Sequence, residues 1–562
     1  MLDSPLHEHH LLRFSVEIED RPMRSFKQTA IISFFDENNK KVCVFKYGVI
    51  TNKEIFELID KGESISLNNA YIKDFSLTDY RVEKGYDDSV YVKLVNFSAK
   101  KSFFDCDVSN DFSYAEFIGD KTVFDSAIFG NGISNFSNSN FGQGDVSFKK
   151  AKFGSGSTNF QSVRFGEGLV SFNNVNFGTG NLSFIDTDFS NGNVDFKNAY
   201  FGDGTIDFKF AKFSSGDISF ERSSFGKGKK DFKNVEFGGG KIDFRRIEFN
   251  DGDVSFEGVE FGDGKVNFRS SVFGHGFINF EKSDFAKGDV QFDLVDFGSG
   301  KVSFNSCKAD IVSFQGCALN CYMDLRFSTC HLIDFRNTVV RDILDLMPED
   351  EVVHLKEFNI ANMRILGRIF IDWRANDVFK LIYNQADTSL MQKAEQFRIL
   401  KENFRTNGQY VDEDMAYIEF KRCESKANLE EGKKRGWKGK LIEYPNYYFQ
   451  RYVFDFIGKY GTDPVRVLVN MVIVFSVFSL IYYFVDRFAP GFGQIATGLG
   501  SDLNHQHEFW NAFYYSAITF FTIGYGDYFA DGYLKPFAAL EGFTGVFLMS
   551  YFTVAIVRKI LR

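Results

Sequence analysis

The chain has 562 residues, enough for several domains rather than one core. Its net charge of −10, with 65 Lys and Arg scattered among 75 Asp and Glu, provides no polybasic surface, so nucleic acid is not expected as a partner. Phe is the anomaly: 71 of them, with 49 Gly and only 7 Pro, a bias that excludes an ordinary mixed core and points to an internal repeat.

The first residues carry charges and no apolar stretch, so no signal peptide is expected. Residues 1–63 are expected to form a small α+β cap, with strands at Leu11–Ile18, Ala30–Phe35 and Lys41–Tyr47 and a short helix from Thr51 to Lys61. His7, His9 and His10 cluster near the start, where a frayed terminus is expected in preference to a metal site. The seven Cys include no CxxC pair, and free thiols in a reducing compartment are expected.

From Phe124 to Phe304 every twelfth residue is Phe, and a second series runs at the same spacing from Phe129 to Phe297. Three residues after each Phe of the second series stands Gly, from Gly132 to Gly300. Two residues before most Phe is Val, Ile, Ala or Ser, as in Val146/Phe148 and Ala151/Phe153. Positions i−2 and i of a strand share one face, so each Phe and its smaller neighbour are expected inside, with Asp, Asn, Ser, Lys and Glu outside. Gly at the corners is expected to supply the positive φ of a tight turn. The middle residue of corners such as Gly202-Asp203-Gly204 varies freely, so these are expected to be structural turns and not repeated phosphate or calcium sites.

This pattern resembles the pentapeptide-repeat family, whose right-handed quadrilateral β-helix carries a small residue at i−2 and Leu or Phe at i. It departs from the family in adding two Gly-rich residues after each pair of pentapeptide-like units. The resemblance implies a right-handed β-helix over 64–375. A coil of 24 residues with four Phe inside is expected, and a coil of 12 is the alternative; at ~4.8 Å per coil the strict region is roughly 36 Å or about 72 Å long.

Residues 376–463 are expected to be a helical linker. Leu390, Ala394, Phe397, Leu400 and Phe404 form one apolar helical face, ended by Gly408, and Asp412 to Leu429 continues as a second helix. A packed helical hairpin and a transmission element are both open readings of this pair. Basic residues around Trp437 and aromatics over Tyr444–Tyr460 favour a helix lying at a membrane interface over a soluble one. On it, Arg451, Asp455 and Lys459 are expected to share a face.

Residues 464–562 form the last segment, with an outer span at 464–486 and an inner span at 537–560, each long enough to cross ~30 Å of hydrocarbon. Lys and Arg crowd the flanks of the two spans and are nearly absent between them, which places both termini and the β-helix in the cytoplasm of a cell-membrane protein. Between the spans, an aromatic helix at 508–519 leads into Thr522-Ile523-Gly524-Tyr525-Gly526-Asp527. Here 465–562 resembles the two-transmembrane potassium channels, with Ile where Val is commoner.

The resemblance implies a multidomain, potassium-selective channel with no enzymatic activity and no cofactor. A silent or non-selective pore on a membrane-anchored binding scaffold is the alternative. Partners are the lipid bilayer and further copies of the chain, since one subunit supplies only a quarter of each oxygen ring and a homotetramer follows. Permeant K+ is expected at the oxygens of Thr522, Ile523, Gly524 and Tyr525, because backbone carbonyls replace hydration oxygens when all point to one axis. That needs backbone conformations of alternating handedness, which Gly524 and Gly526 permit. Tyr514 and Tyr515 are implied as an aromatic cuff, Tyr515 near Tyr525 and Tyr514 near Asp527. On the inner helix, Gly545 and Gly542 are candidate hinges or close-packing sites, and Phe552, Ala555 and Ile556 are gate candidates. No regulatory ligand can be named from the sequence.

Overall fold

A coil built from repeated Phe must place each ring against another ring, and the backbone register shows how. In the computed structural model, which describes residues 13–36, 38–348, 354–497 and 508–561, the chain divides into two compact units, Met1–Ala386 and Asp387–Arg562. The cluster of His7, His9 and His10 and the start of the first expected strand lie outside the described residues.

In the first unit Val146 pairs with Val170 and Val170 with Val194, while Thr158 pairs with Leu182 and Leu182 with Ile206, all parallel. Each coil of the strict repeat therefore has 24 residues, and the 12-residue alternative is excluded; beyond Phe304 the coils change length, as in Val312 with Ile333 and Ile333 with Phe358. The result is a parallel β-solenoid of about 13 turns. Successive 12-residue units are alike in sequence but fall in two separate ladders of strands. Phe residues 24 apart stack nearly parallel (Phe124 on Phe148, 4.6 Å and 5°), and those 12 apart meet edge to face (Phe124 and Phe136, 5.6 Å and 89°). Both arrangements suit the aromatic quadrupole and add ~0.5–1.5 kcal/mol per pair beyond area burial.

Where the small inward residue is Ser or Thr, its hydroxyl donates to the carbonyl of a Phe in the previous coil: Ser139 to Phe112 (2.7 Å), Thr187 to Phe160 (2.7 Å), Ser223 to Phe196 (2.7 Å). A buried hydroxyl needs such a partner. Cys307 does the same with its thiol toward Phe280, and burial pushes that thiol well above its usual range.

The corner glycines meet expectation in part: Gly142, Gly178, Gly202, Gly262 and Gly298, each directly after a Phe of the second series, have positive φ. A further left-handed corner falls two residues after the Phe of the first series, on Asn138, Lys150, Ser162, Asn174, Asp186 and even Phe210. The recurrent Gly three residues after the second Phe is needed for another reason. A Cβ on Gly204 would stand 2.1 Å from the carbonyl oxygen of Gly180 in the coil below. Gly252 alone in that series has positive φ (+94°), so close approach of stacked backbones explains the rest of it. Lys230 is a second departure: it takes the inward i−2 place between Ile206 and Val254, is 0% exposed, and donates its ammonium to the Asp251 carbonyl.

At the N-terminal end, β1 (Arg13–Glu19), β2 (Gln28–Phe35) and β3 (Lys41–Val49) form an antiparallel sheet, and β3 continues in parallel onto the first coils through Ala70–Lys73. Helix α1 (Asn52–Lys61) starts at a Thr51/Glu54 capping box, and α2 (Leu77–Lys84) at Ser76. At the other end, α3 (Val378–Tyr383) packs on the last strand of its ladder, His354–Asn359, and Gln385 Nε2 donates to the Phe358 carbonyl (2.7 Å). Helix α3 thus covers the last strand of one ladder, and β3 extends another at the opposite end.

The second unit is helical. Helix α4 (Leu390–Thr406) opens on a Ser389/Gln392 capping box and ends with Gly408 at φ +74°. It packs along α5 (Tyr410–Lys434), burying Ala394, Phe397, Leu400 and Phe404 against Ala416, Cys423 and Ala427. Then come α6 (Trp437–Phe449), a π-helical segment (Gln450–Phe456), α7 (Pro464–Phe488), α8 (Glu508–Phe520) and α9 (Leu534–Ile560).

Candidate functional site

Helices α7 and α9 have 25 and 27 residues and are apolar through most of their length. At 1.5 Å per residue each is roughly 38–40 Å long, more than the ~30 Å hydrocarbon layer. Only 22% of the most apolar window of each is buried within the subunit, so neither is the core helix of a soluble domain. Pro464 occupies the first turn of α7, where Asp463 accepts from the Arg466 amide (3.0 Å).

The short α8 is wedged between them. On one side Tyr482, Ala512, Tyr515, Ile518, Ala530 and Leu534 form a buried cluster; on the other, Val467, Met471, Phe520, Leu548, Tyr551 and Ala555. Gly545 is where α9 touches the end of α8: an added Cβ would lie 2.0 Å from the Phe520 carbonyl oxygen, while one on Gly542 would be 3.7 Å from that of Thr519. At Gly545 close packing is thus a demonstrated requirement.

The loop after α8 is anchored on the helix's last turn. Phe521 N donates to Ala517 O (3.0 Å), Thr522 N to Thr519 O (3.1 Å), and Ile523 N to Ile518 O (2.9 Å). From there φ alternates: Thr522 +56°, Gly524 +56° and Gly526 +76°, with Ile523 and Tyr525 on the negative side. A peptide chain that switches hand at every residue turns successive carbonyls to the same side. Residues 521–526 are exposed, Tyr525 by 73%. Tyr514 donates its hydroxyl to Asp527 Oδ2 (3.0 Å), and the Tyr528 amide donates to Asp527 Oδ1 (3.1 Å). Tyr515 is buried, its ring edge-on to Tyr482 at 5.1 Å.

The gate candidates fall in different places. Ala555 is fully buried in the cluster with Val467 and Leu548, whereas Phe552 and Ile556 are half-buried. The loop also contains a feature the sequence did not reveal, a two-stranded antiparallel pairing of Ile495–Thr497 with Tyr528–Ala530. Three residues on either side carry too little pattern to announce it.

Below the spans, the expected face of Arg451, Asp455 and Lys459 does not form. The π-helical segment widens the turn, and Tyr460 at φ +57° breaks the helix. Asp455 instead accepts two hydrogen bonds from Arg422 of α5 (3.0 and 2.8 Å), and Lys459 pairs with Asp463 (3.3 Å). Asp414, buried on α5, takes both Arg558 (3.2 Å) and Lys559 (2.9 Å) from the end of α9, and the Arg558 guanidinium lies 4.2 Å from the Tyr417 ring centroid. Burial pushes the Glu419 carboxyl above its usual range, although the Arg422 guanidinium beside it acts the other way. Helix α5 is therefore tied to the segments entering α7 and leaving α9. Nothing in the spacing of Asp414 or Arg422 marked them, since each partner is distant in sequence.

Residues 470–562 match a family model described as ion channel. No curated protein matches the chain. The chain thus joins an N-terminal β-solenoid to a C-terminal segment that matches the ion-channel family and contains two helices long and apolar enough to cross a membrane.

Proposed function

We propose that this ion-channel segment conducts potassium selectively, with four copies of the Thr522–Gly526 loop arranged around one axis. The alternation of φ at Thr522, Gly524 and Gly526 is the observation that carries the reading. It turns successive carbonyls to one side, and four such edges surround an ion with oxygens that replace its water. Exposure of residues 521–526 in a single subunit fits a loop completed by other copies. The hydrogen bond from Tyr514 to Asp527 braces its outer end. Gly545 acts as a packing site against α8, and bending is left to α9 beyond it.

The Lys and Arg bias orients both termini and the solenoid to the cytoplasm. The exposed apolar residues Trp437, Leu441, Ile442, Tyr448, Tyr452 and Phe456 rest at the inner membrane surface. Helix α5, ion-paired to Asp455 and to Arg558 and Lys559, transmits motion of the cytoplasmic helices to both spans.

The test is ion flux into liposomes holding the purified protein, under a potassium gradient and then a sodium gradient, with Gly524→Ala as control. Potassium flux that sodium cannot replace, and that the control loses, supports the reading. Equal flux of both ions overturns selectivity. Absence of flux in every condition that opens the cytoplasmic helices favours a scaffold with a silent pore.

A further inference from the structure

One acidic side chain inside α9 has no place in the pore scheme above. Glu541 is 0% exposed and stands in the apolar part of the helix. Its Oε2 accepts from the hydroxyl of Tyr482 on α7 (2.8 Å), and its Oε1 accepts from the hydroxyl of Ser516 on α8. Ser516 Oγ also lies 3.2 Å from the carbonyl oxygen of Phe475, again on α7. One carboxyl group thus joins all three helices of the pore segment.

A carboxyl group away from water is costly unless it is hydrogen-bonded, and an ionisable residue within a membrane helix is rare without a task. Packing alone does not require one: apolar residues of similar volume fill such a site without that cost. The position of Ser516 is informative. The residues that follow it, Ala517 and Ile518, offer the carbonyls that receive the amides of Phe521 and Ile523 at the entrance of the loop. Whatever fixes Ser516 also fixes the start of Thr522–Gly526.

We propose that Glu541 is a positioning residue for the selectivity loop: it locks α8 onto α7 and α9, so that the loop keeps a single, potassium-sized geometry. The proposal rests on the potassium reading and deepens it. It makes the inner helix, which carries the gate candidates, a direct support of the filter.

The experiment uses the full chain purified in detergent, so no open gate is needed. Melting is compared in potassium chloride and in sodium chloride at equal concentration; an ion that binds only the folded filter raises the melting temperature. The variants are Glu541→Leu and the double variant Tyr482→Phe/Ser516→Ala, which keeps the carboxyl group but removes both donors. The wild type is expected to melt higher in potassium. Each variant is expected to lose more than half of that potassium-dependent difference, whatever its melting temperature in sodium. A difference of wild-type size in either variant overturns the positioning role and leaves the potassium reading intact. A wild type that melts alike in both salts overturns the potassium reading and this inference with it. Should Glu541→Leu not fold, the double variant decides alone by the same criterion.

Discussion

In the solenoid the amide of Phe148 donates to Ser171 and that of Phe172 to Asp195, coil upon coil, so the backbone finds its partners within the chain. In the pore segment, the loop from Thr522 to Gly526 is exposed and its amides are anchored only at its entrance, on the last turn of α8. One region repeats a single solution until it is self-sufficient; the other holds one short loop in an unusual backbone conformation and leaves it facing outward. A repeated contact is redundant, and its loss weakens without abolishing. A single constellation has no spare copy. The two regions are therefore expected to respond to substitution in opposite currencies, stability in one and ion selectivity in the other.

The sharpest way to break that contrast is Gly524→Ala. Within the subunit a Cβ at this position meets nothing within 4 Å, so the fault there is the left-handed φ of +56°. Strain of ~1–2 kcal/mol is small for the fold but enough to turn a carbonyl. Potassium flux is expected to disappear while the urea midpoint of the solenoid stays unchanged. Phe208→Ala is the converse. The ring is fully buried and stacks between Phe184 and Phe232, and its removal is expected to cost about 3–5 kcal/mol in urea unfolding with the potassium-to-sodium flux ratio unaltered.

Lys230 gives a smaller effect of opposite sign. Burial pushes its ammonium from 10.5 down to about 8. The unfolded chain therefore holds this proton in the pH range where the folded chain has lost it, so stability rises with pH between those two values. Below about pH 8 the full penalty is present; above 10.5 it is gone. Lys230→Met is expected to stabilise the solenoid by about 2–3 kcal/mol at neutral pH, and the gain should shrink toward pH 10.5, followed by urea midpoints across that range. Last, Asp455→Asn weakens the bond to Arg422 without touching the loop. A few-fold change in potassium flux at constant ion ratio is expected, and an altered ratio would contradict the separation of linker from filter.

Much of this was legible in the residues because the signals were local or repeated. Phe every twelve residues declares a coil, Ser389 and Gln392 declare a helix start, and two apolar spans around Thr522–Asp527 declare a pore segment. Misread features were those in which one residue type serves two ends. The recurrent Gly suits positive φ and close approach equally well, and only the coil below Gly204 shows which is needed. Arg451, Asp455 and Lys459 fit an α-helical face until a π-helical turn shifts them apart.

The residues alone reveal the inward Phe faces of the coils, the two apolar spans and the loop between them, because these depend on periods of two and on runs of apolar residues along one chain. The three-dimensional contacts were needed to show that a coil of the strict repeat contains 24 residues, that Lys230 lies among apolar neighbours, and that Glu541 meets Tyr482 and Ser516. The reason is distance along the chain. A 12-residue period is identical in either coil, and a contact across 25 or 59 residues leaves no mark on the residues near either end.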